Sequence, residues 1–175
     1  KCWGANFNGA LGDGTTTARS TPVDVSGLAG GMSTVAAGEY HTCVLTAYGA
    51  VKCWGQNNRG QLGDGTTTDR PTPVDVSGLS SGVIALAAGY FHVCALMDAA
   101  HGGGLKCWGE NYYGQLGVNP GWTPVDVIGF EGDSAYTISG HATYADGAPL
   151  SDVWISDGVG HSTVTDPNGA YSLTG

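Results

Sequence analysis

Gly38-Glu-Tyr-His-Thr-Cys-Val-Leu-Thr-Ala-Tyr-Gly49 runs on into Ala50-Val-Lys-Cys-Trp-Gly-Gln-Asn-Asn-Arg-Gly-Gln-Leu-Gly-Asp-Gly65, and the whole reads as a β-hairpin with a glycine-rich tail. Folding it about Ala47-Tyr48-Gly49 sets Thr46 opposite Ala50, Leu45 opposite Val51 and Cys43 opposite Cys53. A three-residue hairpin loop is commonly a type I turn closed by a left-handed residue in a G1 bulge, and Gly49 stands where that residue is needed. The phrase returns downstream, where Cys94 opposite Cys107 sets Leu96 opposite Leu105 across a longer loop, Met97–Gly104. Parity survives the insertion, which matters because a slip of one residue would turn every side chain to the other face.

Lys1-Cys-Trp-Gly, Lys52-Cys-Trp-Gly and Lys106-Cys-Trp-Gly recur at intervals of 51 and 54 residues, and residues 1–28 and 52–79 agree at 22 of 28 positions. A period near fifty marks an array in which one supersecondary unit recurs and neighbours bury each other's apolar faces. Thr72–Val76, Val83–Ala88 and His92–Leu96 read as the unit's other strands, separated by Gly, Asn and Asp at the turns. No stretch repeats apolar residues at helical spacing over three turns, so helices should be nearly absent.

These residues, Gly38 through Leu45 and Gly49 through Gly65 above all, resemble the regulator of chromosome condensation repeat family in its bacterial, cysteine-bearing form. The resemblance spans roughly residues 1–130 and implies a β-propeller of four-stranded blades. The fold expected is therefore all-β: partial propeller repeats, two full copies and part of a third, with units near 1–51, 52–105 and 106–130.

After a linker at 131–135 the wording changes. Residues 136–175 alternate as short strands: Tyr136–Tyr144, Val153–Ser156, Ser162–Thr165 and Ala170–Leu173, with turns at Ala145–Pro149, Asp157–Gly160 and Asp166–Gly169. Ile138-Ser-Gly, Asp146-Gly-Ala-Pro-Leu-Ser-Asp-Val153 and Thr165-Asp-Pro-Asn-Gly-Ala-Tyr171 resemble the opening of a carboxypeptidase-regulatory-like, prealbumin-type β-sandwich. That family implies a spacer without an active site, of which about forty residues are roughly half. Asp166-x-Asn168-Gly169 echoes a calcium loop, but no Glu follows at the required distance, which favours a plain turn.

Directly opposed strand residues bring their Cβ atoms close enough for a disulfide. Cys43–Cys53 and Cys94–Cys107 are thus expected bridges, and Cys2 is left unpaired or free for another chain. Bridges of this kind persist outside the cytosol, which points to an extracellular, cell-surface or periplasmic protein. Two alternatives remain: free buried thiols, or a metal held by His41-x-Cys43 with Cys53 and by His92-x-Cys94 with Cys107. A structural zinc wants a fourth ligand, and none recurs with the repeat. His41 and His92 read as core residues satisfied by backbone groups, the packing role that the resemblance implies for the matching histidine.

Residues 1–130 carry nine acidic and six basic side chains, residues 131–175 six acidic and none basic, and the whole chain is −9. A duplex-binding surface needs clustered Lys and Arg, so no nucleic-acid partner is expected. No apolar run reaches about twenty residues, so no spanning helix is expected. The chain starts at Lys1 and stops inside a strand-rich segment, so both ends read as cut or processed. No Gly-x-Ser-x-Gly elbow, phosphate-binding loop or recurring acid–base pair is present, so neither catalysis nor a cofactor is expected. Trp3, Trp54 and Trp108 recur and read as packing residues. Trp122 and Trp154 do not recur; burial is favoured for both, with a sugar or protein contact as the other use.

The function these residues support is binding or display. Its candidate loops are Asp13–Arg19 and Asp64–Arg70, with Asp13, Thr15, Arg19, Asp64, Thr66, Arg70 and Trp122 as candidate contacts to a protein or glycan ligand. The alternative is a filament or sheath subunit joined to copies of itself by strand donation, motivated by the unpaired edges expected at both ends. Some propellers of the resembled family inhibit β-lactamases, but no residue here argues for that use.

Overall fold

A computed structural model describes residues 1–117, 122–127, 137–144, 147–156 and 162–174. The Asp157–Gly160 turn expected from sequence lies outside them, as does part of Ala145–Pro149. The chain divides into two compact units, Lys1–Gly132 and Asp133–Gly175.

The first unit is built of ten described strands: β1 Cys2–Gly4, β2 Arg19–Val23, β3 Met32–Ala37, β4 His41–Thr46, β5 Val51–Gly55, β6 Arg70–Asp75, β7 Val83–Ala88, β8 His92–Met97, β9 Leu105–Gly109 and β10 Val125–Asp126. They form two four-stranded antiparallel blades, β3-β4-β5-β6 and β7-β8-β9-β10, beside the two-stranded ribbon β1-β2. Each blade therefore straddles the sequence repeat, taking two strands from the end of one unit and two from the start of the next. The hairpin registers are those read from sequence: Cys43 pairs with Cys53 and Leu45 with Val51, then Cys94 with Cys107 and Leu96 with Leu105. Gly49 closes the first hairpin at φ 79°, and its N–H donates to the Thr46 carbonyl at 3.0 Å. The second loop contains the one helical segment among the described residues, a 3-10 turn at Ala99–His101.

Cys43, Leu45, Val51, Cys53, Leu62, Val76, Leu79, Val83, Val93, Ala95, Met97 and Trp108 pack as one core that joins both blades. Cys43–Cys53 and Cys94–Cys107 are disulfides, and Cys2 is free. Between units the repeated tryptophan acts as a latch. Trp54 Nε1 donates to the Ala10 carbonyl of the preceding unit at 2.8 Å, and Trp108 Nε1 to the Gln61 carbonyl at 3.0 Å. Each indole lies against a glycine: a Cβ on Gly12 would stand 2.7 Å from Trp54 Nε1, and one on Gly63 2.8 Å from Trp108 Nε1. Trp54 and Trp108 are buried, as a packing residue should be, whereas Trp3 on the β1 edge is 63% exposed.

The histidines depart from expectation. His41 is buried, yet neither ring nitrogen finds a hydrogen-bond partner among the described residues. Its ring stands against Gly38, where a Cβ would fall 2.1 Å from Cε1, and His92, half-buried rather than in the core, stands likewise against Gly89. The ring is held by shape, because the strand ends around it already bond each other: Gly38 N–H donates to the His41 carbonyl and Gly89 N–H to the His92 carbonyl. Burial, reinforced by nearby His92, lowers the His41 pKa to about 4 and keeps the imidazole neutral.

In the second unit β11 Thr137–His141 pairs with β14 Ala170–Thr174, and β12 Trp154–Ser156 with β13 Ser162–Val164. The described strands form these two ribbons, and Trp154 is 73% exposed, contrary to the burial favoured for it. Asp166 closes the turn before β14, its carboxylate accepting the N–H groups of Asn168 and Ala170 at 2.8 and 2.9 Å. The buried Thr165 hydroxyl ties the ribbon to the preceding loop by donating to the Leu150 carbonyl at 2.7 Å.

Candidate functional site

Antiparallel blades have two ends. At one lie the hairpin tips Ala47–Gly49 and Met97–Gly104. At the other lie the turns entering β4 and β8 and those leaving β5 and β9. There the Gln56 N–H donates to the Tyr40 carbonyl at 2.8 Å and the Glu110 N–H to the Phe91 carbonyl at 2.9 Å, so entering and leaving turns sit side by side.

The acidic loops singled out from sequence belong to this end, but their charged groups face one another. Asp13 accepts from the Thr15 N–H and hydroxyl at 2.9 and 2.7 Å, and from Arg19 Nε at 2.9 Å. Asp64 repeats this with Thr66 at 2.9 and 2.7 Å and Arg70 at 3.0 Å. The buried amides of Asn6 and Asn57 close each loop: Asn57 Nδ2 donates to Asp64 Oδ1 at 3.0 Å while its Oδ1 accepts from the Leu62 N–H at 2.9 Å. The Thr15 hydroxyl, with the Thr15 amide and Arg19, holds the Asp13 carboxyl at a pKa of about 2. Burial pushes Asp64 upward, but its bonds to Thr66, Arg70 and Asn57 outweigh that and lower it. The recurring Asp, Thr and Arg therefore brace the loops from within. The sequence signal for Asn6 and Asn57, recurrence at the same place, was present but unread.

What varies between units points outward. Phe7, Asn58 and Tyr112 occupy one position, Asn8, Arg59 and Tyr113 the next, and Glu39-Tyr40 matches Tyr90-Phe91. Phe7, Tyr90, Tyr112 and Tyr113 are all exposed, the two last at 80% and 87%. Trp122 joins them: it takes the place of Pro71, its Cα and Cβ cover Gly60, and 56% of it remains exposed, contrary to the burial favoured from sequence. Two hollows open here, of about 450 Å³ beside Trp122 and about 580 Å³ beside Tyr90 and Tyr113, and Arg59, Glu110 and Tyr112 line both. Of the residues proposed from sequence, Trp122 lines a hollow. Tyr90, Phe91, Arg59, Glu110, Tyr112 and Tyr113 were missed, although positions where near-identical units differ were their signal.

At the hairpin-tip end, Ser81 Oγ lies 3.2 Å from His101 Nε2, and His101 Nδ1 lies 2.7 Å from Asp98 Oδ1. The connectivity is that of a nucleophile–base–carboxylate set. Asp98 also accepts the His101 N–H as the cap of the 3-10 turn, and the His101 and Asp98 side chains are 44% and 35% exposed. A water-screened contact three residues apart braces the longer loop. It supplies no enclosed, desolvated nucleophile of the kind acyl transfer needs. Among the described residues no group of three or more His, Cys, Asp or Glu could hold a metal, and no helix is long and apolar enough to cross a membrane.

Comparison with known proteins decides the lineage of this scaffold. The regulator of chromosome condensation (RCC1) repeat matches residues 2–45 and 48–96, and a second RCC1 repeat description matches 33–61 and 83–115. The chain belongs to the RCC1 repeat family. Among its relatives is the mitochondrial RCC1 domain-containing protein RUG3 of Arabidopsis thaliana, 36% identical over an alignment of 132 residues that covers 71% of this chain and 29% of RUG3. Human WBSCR16 shares the fold with a TM-score of 0.60 and 23% identity over 93% of this chain and 41% of its own. Yeast RCC1 (Prp20), solved bound to Kap60, superposes with a TM-score of 0.57 and 22% identity over 92% of this chain and 33% of its own. The chain thus spans less than half the length of these relatives, and at these identities the two structures speak for the propeller fold alone.

Proposed function

We propose that this chain is a non-catalytic binding scaffold that recognises a protein partner through the turn end of its blades, and that it works outside the cytosol, secreted or at the cell surface. One observation carries the reading: near-identical units differ most at Ala5–Ala10 and its counterparts, and those positions gather exposed aromatic and Arg side chains. Tyr, Trp and Arg are the residues enriched where protein interfaces concentrate their binding energy. A protein partner is also the class found on the RCC1 relative Prp20, bound to Kap60. The two disulfides support an oxidising compartment, and the acidic second unit suits a solvated spacer.

A photo-crosslinking residue at position 113, compared with one at the equally exposed Tyr48 on the hairpin-tip end, tests the reading in cells producing the chain. A discrete adduct from position 113 and none from 48 is the expected result, and equal or no labelling at both sites refutes it.

A further inference from the structure

We propose that the hollow between Tyr90–Phe91 and Tyr112–Tyr113 is a seat for an alkylammonium group, presented by a lysine side chain of the protein partner. The inference rests on the binding-face reading above and names the chemistry of that face. Each aromatic pair is edge to face: Tyr90 and Phe91 have centroids 4.5 Å apart at 87°, Tyr112 and Tyr113 4.8 Å apart at 85°. Two perpendicular rings have their π faces turned in two different directions, and both pairs line the same hollow of about 580 Å³. A compact cation is attracted to several such faces at once, the arrangement by which aromatic cages hold ammonium groups. A flat guanidinium gains less from perpendicular walls than from one extended face.

Charge selects the same occupant. Glu110 is the acidic residue lining this hollow, beside Arg59 and His92, and its side chain is 23% exposed. Its partner Arg59 is 57% exposed and stands 3.5 Å away, a longer separation than the 3.0 Å or less of the other ion pairs among the described residues. Arg59 can therefore swing to solvent and leave Glu110 to an incoming cation. With Arg59 turned to solvent, an anion would meet Glu110 and a chain of net charge −9, and a neutral apolar group would desolvate Glu110 without compensating it.

The test titrates the intact chain with n-butylammonium and, as the heavy-atom isostere, 1-butanol, following tyrosine ring resonances by NMR. Choline and 3,3-dimethyl-1-butanol form a second pair. Cations should bind at least about fivefold tighter than their neutral isosteres, and Tyr112→Leu or Glu110→Gln should each weaken cation binding by about three- to tenfold while leaving the alcohols unchanged. Equal affinity for cation and alcohol overturns the seat. Choline preferred over n-butylammonium by about tenfold overturns the lysine assignment in favour of a quaternary headgroup. If Tyr112→Leu loses ammonium binding but crosslinking from position 113 persists undiminished, the lysine assignment falls and the binding face stands. If ammonium selectivity is present but position 113 never crosslinks, the seat stands and the protein-binding reading falls.

Discussion

Acidification should destabilise the propeller unit through His41 before its carboxylates matter. The ring is buried with both nitrogens unpartnered, and its pKa falls from 6.5 to about 4 on folding. Between those values the unfolded chain binds a proton that the folded chain refuses, so stability is lost as pH falls. The contribution is fully present above pH 6.5, declines through the interval and is gone below about pH 4. At about 1.4 kcal/mol per pKa unit the loss comes to roughly 3 kcal/mol, a large share of a typical domain's stability. Asp13 acts in a lower window, since its pKa of about 2 means its stabilisation is lost only as pH falls below the ordinary carboxylate range. The assay is guanidinium unfolding at pH 7, 6, 5 and 4, without reductant, of the wild type and His41→Phe. Phe keeps an aromatic ring against Gly38, and any overpacking cost of about 1–3 kcal/mol is independent of pH. The wild type should lose about 3 kcal/mol more than the variant between pH 7 and pH 4. Parallel profiles would refute the reasoning, because the remaining histidines are common to both proteins.

The tryptophan latch should be worth more than any surface contact: Trp108→Ala should cost about 3–5 kcal/mol by denaturant midpoint, and Gly63→Ala should destabilise although it adds one methyl group. The glycine holds φ 66° and leaves no room beneath the indole. Non-reducing peptide mapping should recover Cys43–Cys53 and Cys94–Cys107, with Cys2 alone alkylated. Burial raises the Cys2 pKa, so its alkylation should stay slow at neutral pH. Reduction should lower stability by at most about 3 kcal/mol per bridge, since each spans a short hairpin loop. At low salt, where counterion release most favours binding, the chain should show no retention on DNA or RNA, and micromolar duplex binding at physiological salt would contradict its charge.

The hairpins were legible because everything that sets them lies within a dozen residues. Alternating apolar positions from Cys43 to Leu45 and from Val51 to Cys53, with a glycine at the left-handed turn position, admit one register, and cysteine pairing follows from it. The period likewise announced an array. The acidic loops misled because Asp, Thr and Arg look the same in a sequence whether they face a ligand or one another. Only the buried amides of Asn6 and Asn57 behind them show which.

Where a blade begins and ends, and which glycine lies under which tryptophan, needed the tertiary structure. The latches join Trp54 to Ala10 and Trp108 to Gln61, across 44 and 47 residues. The aromatic hollow assembles the same way, from turns that enter β8 and leave β5 and β9 and meet only when those blades pack. A sequence determines local register through side-chain alternation and turn chemistry, which act over a few residues. The surface proposed to meet a partner is composed of separate repeats, and only the packing of one repeat on the next brings them together.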